Sequence, residues 1–258
     1  MDAKLWEFSL YFPRELLCYF EDLKTELKQL LAKQNNCVSI SVFDDDYYVF
    51  MIALTKEMYN THILLIKERL AEIILLYYKP KTIINSINNF DLNHHDNVIL
   101  IDILSNFEYY EDINEIFKKL SLIDKLYLDS FVKFKLSSLT KKWKDVANLI
   151  NENSLFLLDN AVKKELMQFL MEGIVTKSQH IKLLQNGQSI DALKLQNNQF
   201  EKIKDQKIYY SLFDYDSLLF NLIKQYPMVL EVEHYKNFDV AFIQNLSDLF
   251  GSRLKLVE

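Results

Sequence analysis

The chain has 258 residues, a hydrophobic content of 50% and a net charge of −6. Such a composition excludes a disordered chain, and the negative charge excludes a protein that is basic over its whole surface, as many nucleic-acid binders are. The three glycines exclude a glycine-rich phosphate loop. Two cysteines and no apolar run of membrane-spanning length predict a soluble cytoplasmic protein, and no motif indicates a cofactor.

The first 80 residues have the pattern of a β-α-β-β-α unit. Apolar residues alternate in LWEFSLYF, recur at helical spacing after Pro13, and alternate again in CVSISVF and YYVFMIAL. A helix then follows from about Lys56 to Tyr78. Residues 81–176 contain only helical patterns, so we expect a helical middle.

The period changes again after residue 176. Asn186-Gly187 between two apolar runs predicts a β-hairpin. A helix that Pro227 stops, a strand MVLEVEH, a helix that Gly251 ends and a strand RLKLVE complete a ββαβαβ unit. We therefore predict an α+β protein whose C-terminal unit is a mixed sheet.

The predicted organisation has three parts, an α/β unit at 1–80, a helical middle at 81–176 and an α/β unit at 177–258. Linkers rich in proline, glycine or serine are absent from the sequence, so one continuous domain is the alternative. Whether the two α/β ends share one sheet stays open.

Catalytic signatures such as G-x-S-x-G and H-E-x-x-H are absent from the sequence. His234 follows the strand MVLEVE, and Glu231 and Glu233 precede it at alternate positions. This arrangement suits acid–base chemistry at a strand end, although an ordinary surface position is the simpler interpretation.

Two short polar runs contain possible metal ligands. His94, His95 and Asp96 lie together in NHHDN, where a metal site would need further ligands, and a polar turn between helices is the simpler interpretation. The aspartate run 44–46 could bind a hard cation, but such runs are more typical of hairpin turns. We predict no metal site at either run.

Residues 128–144, called the basic segment below, differ from the acidic remainder of the chain. Seven apolar residues recur at helical spacing and form one stripe: Leu128, Val132, Leu136, Leu139, Trp143, Val146 and Ile150. Lysines lie on the other face, and Phe134 lies among them. The candidate contact residues are Phe131, Lys133, Phe134, Lys135, Lys141, Lys142 and Lys144.

The charge around the basic segment is consistent with a binding surface. Residues 118–144 contain eight lysines but only Asp124 and Asp129 as acids, which is a net charge of +6 in a negative protein. The segment could bind a protein, a nucleic acid or an anionic membrane. Alternatively, it docks against the protein's own acidic helix, which contains Glu108, Glu111, Asp112 and Glu115.

Three phrases, SFVKFKLSSL, DYDSLLFNLIKQYPMVLEVEH and FIQNLSDLFGSRLKLVE, resemble the YtxC-like sporulation proteins over about residues 120–258. Those proteins have phrases like F-V-N-F-R-L-K, an acidic D-D-L-L helix and a closing F-G-D-R-V strand. The matching residues here are Phe131, Val132, Phe134, Lys135, Leu136, Leu218, Leu219, Phe250, Gly251 and Arg253. Lys133 and Ser252 depart from the pattern, which normally has an amide and an acid there.

The resemblance implies a cytoplasmic protein of a spore-forming bacterium that is tied to sporulation, and it brings no active-site residues. We therefore expect a non-enzymatic protein that contacts a protein partner through the basic segment. The alternatives are a nucleic-acid or anionic-membrane binder that uses the same lysines, and an enzyme with a scattered site near His234.

Overall fold

A computed structural model of the chain confirms the α+β class. The structure describes residues 5–31, 38–43, 46–87, 94–153, 160–186, 189–196, 199–202, 210–211 and 215–258. Within these residues the strands form two separate sheets, so the two α/β ends of the chain do not share one. No helix in these ranges is both long and apolar enough to cross a membrane.

The chain forms two compact units, and each is assembled from two stretches of sequence. Unit 1 contains Met1–Thr82 and Tyr110–Asp145, and unit 2 contains Ile83–Tyr109 and Val146–Glu258. The boundary predicted after residue 80 lies close to Thr82. The predicted helical middle, residues 81–176, is divided between the two units.

Unit 1 is built on a mixed sheet of four strands in the order β2-β3-β1-β4. Strands β1, β2 and β3 pair antiparallel, and β4 pairs parallel with β1. The elements are β1 (Leu5–Pro13), α1 (Leu17–Leu31), β2 (Val38–Phe43), β3 (Tyr47–Thr55), α2 (Lys56–Ser86), α4 (Tyr109–Lys119), β4 (Asp124–Tyr127), α5 (Leu128–Lys135) and α6 (Ser137–Asn153); the ends of α2 and α6 continue into unit 2.

Apolar side chains at alternate positions of β1 and β3 form much of the core of unit 1. Phe8 pairs with Ile52 and Leu10 with Phe50, and all four side chains are buried. The Phe20 ring of α1 meets the Phe50 ring edge-on at 6.4 Å. Every second residue of the strands and one face of helix α1 thus carry the apolar side chains that pack together in one buried layer.

Unit 2 is built on a six-stranded sheet in the order β10-β9-β5-β6-β7, in which β8 also pairs with β6. Strands β5, β9 and β10 run parallel, and β6 is antiparallel to β5, β7 and β8. The elements are α3 (His94–Asn106), α7 (Asn160–Glu172), β5 (Lys177–Asn186), β6 (Ser189–Gln196), β7 (Gln199–Lys202), β8 (Tyr210–Ser211), α8 (Tyr215–Gln225), β9 (Pro227–Glu233), α9 (Val240–Phe250) and β10 (Leu254–Val257).

The core of unit 2 joins the inner face of this sheet to helices α3, α7, α8 and α9. Ile181, Leu183, Leu230 and Val232 alternate along β5 and β9 and are fully buried. Helix α9 begins where the Asp239 side chain accepts hydrogen bonds from two backbone N–H groups, which satisfies donors that a helix start leaves unpaired.

The structure adds three strands to the predicted order of elements. The predicted N-terminal β-α-β-β-α order is present, but β4 lies in the middle that was predicted to be helical, and β7 and β8 follow the predicted hairpin. Helix α2 also continues through Pro80 to Ser86, beyond the predicted end near Tyr78. Short strands give weak periodic signals, and β4 is specified by its pairing with the distant β1.

Gly173 in unit 2 packs against an aromatic ring so closely that a larger residue does not fit. A Cβ atom there would lie 2.1 Å from the Phe107 ring. We expect Gly173→Ala to lower the free energy of unfolding by about 1–3 kcal/mol, because the ring must move. Urea denaturation of the full chain measures this.

The ring that causes the clash provides the control. In a Phe107→Leu background, Gly173→Ala should cost clearly less, since the two changes are coupled. Equal costs in both backgrounds would contradict this explanation.

Candidate functional site

The basic segment forms two consecutive helices instead of the single helix that its spacing predicted. Helix α5 ends at Lys135, and α6 begins at Ser137. Between them Leu136 leaves the helical conformation, and its N–H donates to the Phe131 carbonyl over 3.2 Å. The apolar stripe continues through this break because Leu136 itself is fully buried. The spacing of apolar residues alone therefore could not reveal the break between α5 and α6.

The apolar stripe of the basic segment is buried, as predicted. The buried members are Leu128, Val132, Leu136, Leu139 and Trp143. Val146 is partly buried, and the side chain of Ile150 lies outside the described residues. Phe131 is also buried, so it packs in the interior and offers no surface to a partner.

Phe134 has the opposite environment. Its side chain is 68% exposed, and the Lys133 ammonium lies 5.4 Å from the centre of its ring. Lys133, Lys135, Lys141 and Lys144 are all exposed. None of these four lysines forms an ion pair with a residue that the structure describes. The surface of the basic segment thus combines an exposed aromatic ring with four uncompensated positive charges.

Lys142 differs from the other lysines because it points to a buried carboxylate. Asp112 of α4, only 1% exposed, accepts hydrogen bonds from Lys79 Nζ at 2.7 Å and Lys142 Nζ at 3.0 Å. It also accepts one from Trp143 Nε1 at 2.8 Å. We call these four residues the Asp112 cluster. Burying a charge is tolerated only with such partners, so the cluster is a structural contact between α2, α4 and α6.

Part of the positive charge of the basic segment is therefore paired with carboxylates of the acidic helix α4, on which the segment docks. Lys142 pairs with Asp112, and the Ser138 hydroxyl donates to Glu115 over 3.3 Å. Lys119, at the end of α4, also pairs with Glu115 at 2.7 Å. The exposed lysines at 133, 135, 141 and 144 take no part in these contacts.

His234 occupies the ordinary surface position that was the simpler interpretation of the sequence, and the alternative acid–base arrangement with Glu231 and Glu233 is not formed around it. His234 is exposed and has a left-handed backbone, with φ of 52°. Glu231 instead lies beside two residues of β5: its Oε1 is 2.7 Å from Lys182 Nζ, and its Oε2 is 3.2 Å from His180 Nε2. Glu233 is 3.2 Å from the same Lys182.

These contacts form cross-strand pairs between β5 and β9. Burial raises the pKa of Glu231, but Lys182 and His180 together bring that pKa below its ordinary value. Glu231 is therefore a carboxylate paired with Lys182 and His180 across the two strands. His180 and Lys182 were not among the residues predicted from the sequence, although their alternation with the buried Ile181 and Leu183 places them on one face of a strand.

The possible metal ligands are described only in part. Helix α3 begins at His94, so NHHDN continues into a first helical turn instead of forming a turn throughout, while the side chains at 94–96 lie outside the described residues. Asp44, Asp45 and Cys37 also lie outside them, and Cys18 is an exposed free thiol. In the part of the chain that is described, no three His, Cys, Asp or Glu side chains gather in a way that could hold a metal ion.

Comparisons of the chain with protein-family models, with curated proteins and with solved structures give no match. The resemblance to YtxC-like proteins therefore stays a prediction from the sequence.

The Asp112 cluster makes a direct prediction about stability. We expect Asp112→Ala to lower the free energy of unfolding by about 3–5 kcal/mol, because it leaves the buried Lys79 ammonium without its carboxylate. Urea denaturation of the full chain measures the loss.

Glu111→Ala is the matched control, since Glu111 is an exposed carboxylate next to Asp112 on the same helix. It should change stability by less than about 0.5 kcal/mol. Similar losses in both variants would show that the cluster has no special role.

Proposed function

We propose that the chain is a cytoplasmic, sporulation-associated protein that acts without catalysis, by binding an acidic surface of a protein partner through the basic segment. The cellular setting in this proposal comes from the YtxC-like phrases of the sequence. The proposed binding to a partner is inferred from the exposed surface of helices α5 and α6.

The observation that carries the proposal is the exposure of Phe134 among uncompensated lysines. A phenylalanine side chain with 68% of its surface in water gains free energy when a partner covers it. Aromatic residues are the usual anchors of protein interfaces, and surrounding charges steer a partner of opposite sign. Lys133, Lys135, Lys141 and Lys144 supply that positive field.

The charge of the chain and of the basic segment favours a protein partner over a nucleic acid. The whole chain carries a net charge of −6, which repels a long polyanion. Lys142, a fifth lysine of the segment, is engaged by Asp112 and adds little to the field. The exposed Phe134 ring could nevertheless stack on an unpaired base, so single-stranded nucleic acid is the second candidate.

The proposal is tested by capturing partners from sporulating cells with the purified full chain. We expect Phe134→Ala to weaken the captured complex by roughly 30-fold, which corresponds to a loss of about 2 kcal/mol at an interface anchor. The triple variant Lys133→Glu, Lys141→Glu, Lys144→Glu should abolish capture, because it reverses the sign of the field. Both variants are first shown to unfold at the wild-type urea concentration.

The matched control reverses three exposed lysines elsewhere, at Lys28, Lys56 and Lys255. It has the same net charge as the first triple variant and should retain the partner. Loss of capture in both triple variants would indicate a general charge effect and contradict the proposed surface.

Titrations with single-stranded RNA, duplex DNA and phosphatidylserine vesicles at two salt concentrations separate the remaining candidates. Tight binding that falls steeply with salt and requires Phe134 would support a nucleic-acid or membrane function in place of the proposed one.

A further inference from the structure

The sheet of unit 1 has a second face that the proposed function does not use. Its inner face, with Phe8, Leu10 and Ile52, is buried in the core. The residues between these positions point to the opposite face, which is called the outer face below. The strand register places on it Leu5, Glu7, Ser9 and Tyr11 of β1, Val49, Met51 and Ala53 of β3, and Lys125 and Tyr127 of β4.

One end of the outer face is covered, and the other end is open to solvent. Tyr11 and Val49 are buried, and the Tyr127 ring stacks on the Tyr11 ring at 4.0 Å. Towards the start of β1, Met51 is 40% exposed and Leu5 is 49% exposed. Two large apolar side chains on the same sheet face thus lie in water, and a partner that covers them gains free energy.

The edge strand β2 has its apolar residues at outer-face positions. Ile40 pairs with Met51, and Val38 and Val42 lie two residues to either side of Ile40. The serines at positions 39 and 41 pair with residues of the buried inner face. A strand whose outer face meets water normally has the reverse pattern, with polar residues outside. The residue types of β2 therefore indicate that the outer face is covered when the protein functions.

Two charges of opposite sign border the open end of the outer face. Glu7 of β1 and Lys125 of β4 are both exposed, and neither forms an ion pair with a residue that the structure describes. Lys125 pairs with Ser9 in the parallel register, so it lies one strand across and two residues along from Glu7. A surface that carries one acid and one base is complementary to itself when two copies pack around a two-fold axis.

We propose that the outer face binds a second copy of the chain, face to face, around a two-fold axis. Glu7 of each copy pairs with Lys125 of the other, and the two Met51 side chains meet at the axis. Burial of apolar side chains stabilises the dimer, while the two ion pairs, which lie near solvent, fix its orientation.

The register of the sheet supports this placement of the axis. A two-fold axis between two stacked sheets that exchanges Glu7 and Lys125 crosses the line between these residues at its midpoint, at right angles. With strands about 4.8 Å apart and residues about 3.4 Å apart along each strand, this axis passes within about 2 Å of the Met51 position. One symmetry operation therefore brings together the opposite charges and the exposed methionines.

This proposal is independent of the proposed function, because Glu7, Met51 and Lys125 lie outside the basic segment. The triple variant Lys133→Glu, Lys141→Glu, Lys144→Glu should lose the captured partner and still form the dimer. Failure of one proposal is thereby distinguished from failure of the other.

Sedimentation velocity of the full chain at increasing concentration tests the dimer. We expect a reversible dimer with twice the 30.7 kDa mass of one chain. Met51→Asp should weaken the dimer at least about 30-fold, because two carboxylates come together at the axis. Lys28→Glu, a charge reversal at an exposed lysine of α1, should leave the dimer unchanged.

Charge reversal at Glu7 and Lys125 tests the pairing itself. Glu7→Lys and Lys125→Glu should each weaken self-association by about tenfold, because like charges then face each other at both contacts. An equimolar mixture of the two variants should recover the wild-type affinity, since both contacts between the two different chains again join opposite charges. An attraction between Glu7 and Lys125 within one chain does not give this recovery.

Each variant is first shown to unfold at the wild-type urea concentration. A wild-type chain that stays monomeric up to about 1 mM would overturn the proposal. So would a dimer that Met51→Asp leaves intact, or a mixture of the two charge variants that associates no better than either variant alone.

Discussion

The buried carboxylate of Asp112 is the constraint on which the arrangement of the functional surface depends. It accepts hydrogen bonds from Lys79 of α2 and from Lys142 and Trp143 of α6. Trp143 is among the largest fully buried side chains of the chain. A charge in such a place is stable only while its partners hold their geometry, so the cluster fixes the rotation of α6 about its axis. That rotation decides which lysines reach solvent.

The basic segment therefore has two physical roles at adjacent positions. Lys142 completes the buried cluster, while Lys141 and Lys144 lie on the exposed side of the same helix. In α5, Phe131 enters the interior and Phe134, one helical turn later, remains in water. Because one side of the segment packs against the core, the charges on its exposed side are held in fixed positions. A preorganised surface of this kind loses little conformational entropy when it binds a partner.

Local patterns predicted the elements that local forces determine. The alternation in β1 and β3 and the end of helix α9 before Gly251 follow from neighbouring residues. The strand β4 was missed because its four residues are ordered by pairing with β1, more than a hundred residues away in sequence. The same limit applies to the site. Exposure of Phe134 followed from the helical stripe, whereas the Asp112 cluster joins three helices, and no spacing in the sequence connects them.

The most direct measurement is the free energy of unfolding of two single variants, Lys141→Gln and Lys142→Gln, by urea denaturation of the full chain. The changes are chemically identical and adjacent in sequence. Lys142→Gln should lower stability by about 1 kcal/mol, because Asp112 loses a charged donor that is itself partly solvated, and Lys141→Gln should have an effect below about 0.5 kcal/mol. Equal effects, or a larger loss at Lys141, would contradict the assignment of Lys142 to the interior and Lys141 to the binding surface.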